Sequence, residues 1–131
     1  MAFTLVIGGA GRTGRQITSR LLERDIAVRV FSRHPRAATR GGAENVRGDL
    51  ASLDTDVLSD VSGVIVTVEP PADAASADAL MHRGVASLAA LAAAAHVPVV
   101  LVSQIYISRP GAHPALRDVI TSAARAGRSA R

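Results

Sequence analysis

The stretch Gly8-Gly9-Ala10-Gly11-Arg12-Thr13-Gly14 follows directly on the apolar run Phe3-Thr4-Leu5-Val6-Ile7 and carries two overlapping spacings. Gly9, Gly11 and Gly14 make GxGxxG, and Gly8, Gly11 and Gly14 make GxxGxxG. The chemistry open to such a segment is phosphate binding. One glycine permits a tight turn, another lets the backbone reach a pyrophosphate with no side chain between, and Gly14 lets the following helix lie close to the strand. A helix that starts there offers unpaired N–H groups and a partial positive charge to an anion. The expectation is a dinucleotide-binding turn spanning Leu5 to Gly14, with Gly8, Gly9, Gly11, Arg12, Thr13 and Gly14 as contact residues.

A site that prefers NAD(H) usually has an acidic residue at the end of the second strand, about 20 residues past the glycines, to hold the ribose 2′-hydroxyl. That place holds Ser32-Arg33. The planar fork of Arg33 suits a 2′-phosphate, and Arg12 and Arg36 add positive charge, so NADP(H) is expected over NAD(H). In so arginine-rich a chain, a solvated turn residue at position 33 is the other reading.

The elements that must hold these residues can be read from periodicity. Phe3 to Ile7 reads as a strand buried on both faces, and Gly14, Ile17 and Leu21 share one face of the next helix, with Leu22 beside it. That helix is expected to stop near Asp25 in a left-handed conformation. Ala27 to Phe31 is the second strand, Pro35 to Ala38 a short helix, and Glu44 to Val46 a third strand. Leu53 to Leu58 reads as one helical stretch, Gly63 to Val68 as a strong strand, and Asp78 to Ala95 as an alanine-rich helix. Val99 to Val102 is the fifth strand, and Leu116, Val119, Ile120 and Ala123 mark a last helical pattern. The alternation implies one α/β domain over residues 1–131, a Rossmann-type doubly wound parallel sheet of about five strands with helices on both faces.

Composition agrees with a single globular domain. The chain has 131 residues, 48% of them hydrophobic and 20% charged, enough to build one core. Cysteine is absent and the four histidines lack ligand spacing, so neither a disulfide framework nor a metal site is expected. No apolar run reaches the roughly 18 to 20 residues a membrane helix needs, and Met1 leads straight into a strand, so a cytoplasmic location is expected. All 15 basic residues are arginine, giving a net charge of +4, but they are dispersed and do not interleave with aromatics. A nucleic-acid partner is therefore not expected.

With these motifs in place, the chain resembles the atypical short-chain dehydrogenase/reductases, specifically the NmrA-like and flavin-reductase-like single-domain proteins with a GATGRTG-like opening. The resemblance runs from Phe3 to about Ile120 and rests on Gly8 to Arg15, Ser32-Arg33, Gly48-Asp49-Leu50 and Ser103. It implies adenine contacts at Asp49 and Leu50, and passage of Val68 and Glu69 along the nicotinamide ribose. For Asp49, capping of the next helical segment is the competing role.

The wider family's YxxxK pair, in which lysine lowers the tyrosine pKa for proton exchange, cannot exist in a chain without lysine. The single tyrosine, Tyr106, has Pro110 at the lysine position and Arg109 one residue early. Ser103, at the end of the fifth strand, and Tyr106 are the remaining catalytic candidates. Relatives continue past the helix after strand five with a further strand and most of the substrate pocket, so a shortened product is expected. A fifth strand left at the sheet edge implies self-association or marginal stability. Two readings of function stand at this point. One is an NADPH-dependent reductase of a small carbonyl, quinone or flavin. The other is a non-catalytic NADP(H)-binding redox sensor or the remnant of a reductase.

Overall fold

The structure, a computed structural model, describes residues 2–9, 11–33, 42–68, 75 and 83–102. Within them five parallel strands form one sheet: β1 (Phe3–Ile7), β2 (Val28–Ser32), β3 (Glu44–Arg47), β4 (Val61–Val66) and β5 (Val99–Leu101). Their spatial order is β3-β2-β1-β4-β5, so the chain winds outward one way to β3 and then returns past β1 to β4. Val6 stands between Val30 of β2 and Ile65 of β4, which makes β1 the central strand.

Alternation along the strands sends side chains to two cores. Val6, Val28 and Val30 pack under helix α1 (Arg12–Leu22), through Ile17, Leu21 and Leu22. Leu5, Ile7, Phe31, Val64 and Val66 face the opposite way, where Val85 and Leu88 seal the second core. Leu88 belongs to helix α2 (Ala86–Ala94), with Val85 just ahead of it. One helix thus lies on each face, as a doubly wound sheet requires.

The expected strands are recovered with shifts of one or two residues at several ends, β4 beginning at Val61 rather than Gly63. Of the helix expected over Asp78 to Ala95, residues 78–82 lie outside the described residues, residues 83–85 are π-helical, and the α-helix runs over Ala86–Ala94. Asp25 has φ +57°, as expected for the residue that stops the chain after α1. Asp60 (φ +59°) and His96 (φ +56°) do the same ahead of β4 and β5, each in a left-handed conformation that glycine usually takes. One element differs in kind. In place of a single helix over Leu53 to Leu58 there are two 3₁₀ turns, Leu50–Ser52 and Thr55–Leu58, with Leu53 extended between them. The cause is local: Asp49 accepts a hydrogen bond from the Ala51 N–H (3.0 Å), and Asp54 accepts one from the Asp56 N–H (3.1 Å). Each aspartate starts its own turn and prevents one continuous helix. The expected short helix at Pro35 to Ala38 and the helical pattern from Leu116 to Ala123 lie outside the described residues.

Arg29 was read from the sequence only as a strand residue, yet it is buried in the middle of the sheet at 8% exposure. Its Nη1 donates to the carbonyls of Val57 (2.9 Å) and Ser59 (2.6 Å), and its Nη2 lies 3.3 Å from Glu44 Oε2. The guanidinium also sits 4.5 Å from the centre of the Phe3 ring. One side chain therefore joins β2 to β1, to β3 and to the crossover that leads into β4. Among the described residues no helix is long and apolar enough to cross a membrane.

Replacing Arg29 with Met keeps the apolar stem but leaves two turn carbonyls without their donor. The expected cost is about 2–3 kcal/mol of folding stability, read as a lower urea midpoint with an unchanged slope. A variant as stable as the parent would show that the turn carbonyls find water instead.

Candidate functional site

The carboxyl ends of β1 and β4 meet at the point where the winding direction changes, the place where open parallel sheets hold ligands. β1 ends at Ile7, whose carbonyl accepts both the Thr67 N–H (3.0 Å) and the Thr67 hydroxyl (2.8 Å). Gly8 then turns away with φ +79°, its N–H donating to the Phe31 carbonyl at 3.1 Å. The Gly11 N–H donates back to the Gly8 carbonyl (3.0 Å) and closes the turn.

Each glycine is small for a distinct reason. A Cβ on Gly8 would lie 2.8 Å from Thr67 Oγ1 and 3.1 Å from Val68 Cγ1, and one on Gly9 would lie 2.5 Å from Val30 Cγ1. On Gly14 it would overlap the Gly8 carbonyl oxygen and the Gly9 Cα, because the first turn of α1 rests on the turn backbone itself. Gly11 differs. Its backbone is extended (φ −76°, ψ 173°), and the nearest atom to an added Cβ is the Gly8 carbonyl oxygen at 3.3 Å.

Helix α1 starts with no side-chain cap and no acidic residue in its first turn. The first backbone hydrogen bond into it runs from Arg15 N–H to the Gly11 carbonyl, so the N–H groups of Arg12, Thr13 and Gly14 stand ahead of the ladder. Arg12 and Thr13 are exposed and Gly14 is buried. These donors, the helix dipole and the Arg12 charge together suit an anion such as a phosphate. The glycine cradle fits the pyrophosphate of a dinucleotide.

Beside this turn, β2 ends at the half-buried Ser32 and continues into the exposed Arg33. Ser32 Oγ is buried without a hydrogen-bond partner among the described residues. The Gly48 N–H donates to the Ser32 carbonyl at 3.1 Å, and a Cβ on Gly48 would lie 2.7 Å from the Phe31 ring. The loop Gly48-Asp49-Leu50 is thereby held against the end of β2. Asp49 is exposed and performs the capping role weighed above, while Leu50 is only 5% exposed and belongs to the α2-side core. The structure thus brings Gly8, Gly9, Gly11, Arg12, Thr13, Gly14, Arg33, Asp49, Leu50 and Val68 to the carboxyl edge of the sheet. Ser103, Tyr106, Arg36 and Glu69 lie outside the described residues.

Two residues of the site were not singled out from the sequence. Thr67 bolts the end of β4 to the end of β1 directly behind Gly8. Thr18, 5% exposed, donates from Oγ1 to the Gly14 carbonyl (2.8 Å) and holds the first turn of α1. The available signal was a lone hydroxyl at the end of an apolar run and on the apolar face of a helix.

The glycines should separate by experiment. Gly14→Ala is expected to cost about 2–3 kcal/mol of stability through backbone overlap, whereas Gly11→Ala should stay within about 1 kcal/mol of the parent. Thermal or urea unfolding of both variants measures this, and equal losses would contradict the assignment of Gly14 to internal packing.

Comparison with known proteins agrees with this geometry. A short-chain dehydrogenase/reductase superfamily protein from Agrobacterium tumefaciens with bound NAD superposes with a TM-score of 0.73 at 26% identity, over 97% of this chain and 44% of that one. The Bordetella bronchiseptica enzyme WbmG in complex with NAD gives a TM-score of 0.73 at 16% identity, over 97% and 49%. The NAD-dependent NDP-hexosamine 5,6-dehydratase TunA gives 0.71 at 19%, over 97% and 49%. The chain therefore spans about half the length of these solved structures. No curated protein sequence matches significantly. The resemblance to atypical short-chain dehydrogenase/reductases is borne out at the level of that superfamily. A family model described as NAD(P)H-binding matches residues 8–131, and the chain belongs to that NAD(P)H-binding family.

Proposed function

We propose that this chain holds NADP(H) in preference to NAD(H), and that it serves a reductase acting on a small carbonyl, quinone or flavin. The observation that carries the cofactor preference is the end of β2. There the chain offers the half-buried Ser32 hydroxyl and then the exposed Arg33, with no carboxylate at either position to meet a ribose 2′-hydroxyl. Arg33 donates to the 2′-phosphate, and Arg12, at the start of α1, adds positive charge across the same opening. The turn Gly8 to Gly14 takes the pyrophosphate, Asp49 and Leu50 form the adenine side, and Val68 follows the nicotinamide ribose.

When bound, the reduced nicotinamide supplies a hydride. The residues of this chain bind and orient it. Thr67 fixes the strand end from which Val68 leaves, and its hydroxyl leaves no room for a side chain on Gly8. Ser103 is the candidate to hydrogen-bond an acceptor oxygen, and Tyr106, three residues later in the sequence, is the second candidate. The bound NAD of the Agrobacterium tumefaciens relative supports a pyridine nucleotide as the ligand.

Arg33→Ala is expected to weaken NADPH binding by at least about tenfold, the loss of one charge-assisted contact, and to change NADH binding little. Calorimetric titration of both cofactors reads the difference, and equal small effects would remove the NADP(H) preference. Incubation with NADPH and a panel of quinones, flavins and aldehydes tests the reductase reading by loss of absorbance of the reduced cofactor. Firm binding with no turnover on any member of the panel would overturn it.

A further inference from the structure

Gly84 is buried at the entry to α2, where residues 83–85 form a π-helical turn. Its φ lies outside the left-handed range, so the backbone conformation there is open to other residues. The space is not. A Cβ on Gly84 would lie 2.9 Å from Leu50 Cγ, 3.2 Å from Leu50 Cδ2 and 3.4 Å from Leu50 Cβ. These atoms are close to the Leu50 backbone, and the side chain is packed in a core that also contains Ile7, Phe31, Val85 and Leu88. Leu50 therefore has little freedom to swing aside.

The loop before Leu50 is restrained from its other side in the same way. Gly48 lies flat against the Phe31 ring and donates its N–H to the Ser32 carbonyl. Asp49, exposed between the two contacts, directs its carboxylate to the Ala51 N–H. The loop after β3 is thus clamped between two close glycine contacts, Gly48 against β2 and Gly84 on the entry to α2. The entry to α2 is π-helical at residues 83–85, and its backbone meets the leucine at Gly84.

We infer that Gly84 is a positioning residue for the adenine side of the dinucleotide site, acting through Leu50 to set the loop of Asp49. The inference rests on the proposed placement of the adenine at residues 48–50. An added methyl at Gly84 pushes Leu50 outward, and Leu50 carries Asp49 with it. Binding geometry depends on such supporting contacts within a fraction of an ångström.

The test is binding of NADPH, NADH and ADP to the parent, Gly84→Ala, Leu50→Ala and the double variant. ADP reports the adenosine diphosphate half of the dinucleotide without its nicotinamide half. Gly84→Ala is expected to lose about tenfold in affinity for ADP and for the better dinucleotide alike. In the Leu50→Ala background the same change should have almost no effect, since the methyl enters vacated space. Each double-variant affinity is compared with that of Leu50→Ala itself; if Gly84→Ala alone fails to fold, a double variant that binds ADP more weakly than Leu50→Ala, or a Leu50→Ala that binds ADP as tightly as the parent, overturns the inference. A parent that binds neither dinucleotide overturns the site reading and this inference with it. A parent that binds, with Gly84→Ala binding equally well, overturns the inference alone. A tenfold loss that persists in the Leu50→Ala background, or a loss for dinucleotide without one for ADP, overturns it as well.

Discussion

The first turn of α1 rests on the turn that leaves β1, with backbone against backbone at Gly14 and Gly8 and no side chain between them. The rest of the site depends on that approach. It sets the height of α1 above the sheet, and so the position of the N–H groups of Arg12, Thr13 and Gly14. It also determines how Val30 meets Gly9, because the valine fills the space a side chain there would need. Thr18 reinforces the contact by tying its hydroxyl to the Gly14 carbonyl, a local bond that keeps the first turn of the helix in place.

The sheet delivers the other parts of the site to the same edge. With β1 central and β4 beside it, the loops after β1, β2, β3 and β4 all emerge on one side, where Gly8, Arg33, Asp49 and Val68 follow their strands. Parallel pairing requires each strand to be entered again from the far edge, and those entries use left-handed residues at Asp25, Gly42, Asp60 and His96. Three of these are not glycine. The far edge thus tolerates a mild conformational strain of about 1 kcal/mol per residue, while the carboxyl edge places glycine where space is smallest. Arg29 stabilises the β2 side of this frame by joining its turn carbonyls and Glu44 to the middle of the sheet.

Periodicity in the sequence was enough to place all five strands and the two described helices, because a strand buried on both faces and an amphipathic helix leave distinct apolar patterns. The stop at Asp25 was legible for the same kind of local reason. What could not be read was long-range. Arg29 looks like any arginine in a strand, since two of its partners are carbonyls of a distant turn with no side-chain signature and the others, Glu44 and Phe3, lie on strands whose pairing is long-range. The break at Leu53 needed the competition between two aspartate turns and one helix to be weighed, and apolar spacing alone favours the helix. Thr67 is invisible as a site residue until β4 is known to lie next to β1.

The glycine motif itself illustrates the limit of motif reading. Its spacing suggests several residues of one purpose, but the contacts divide them. Gly8, Gly9 and Gly14 meet Thr67, Val30 and the turn backbone, so the fold alone requires them to be small. Gly11 meets only a carbonyl oxygen at 3.3 Å in an extended backbone that other residues adopt freely. A turn can therefore keep most of the pattern for packing reasons, and Gly11 is the position that packing constrains least. Together with the uncapped start of α1 and Arg33 beyond β2, that position supports the proposed phosphate cradle beside the close helix contact.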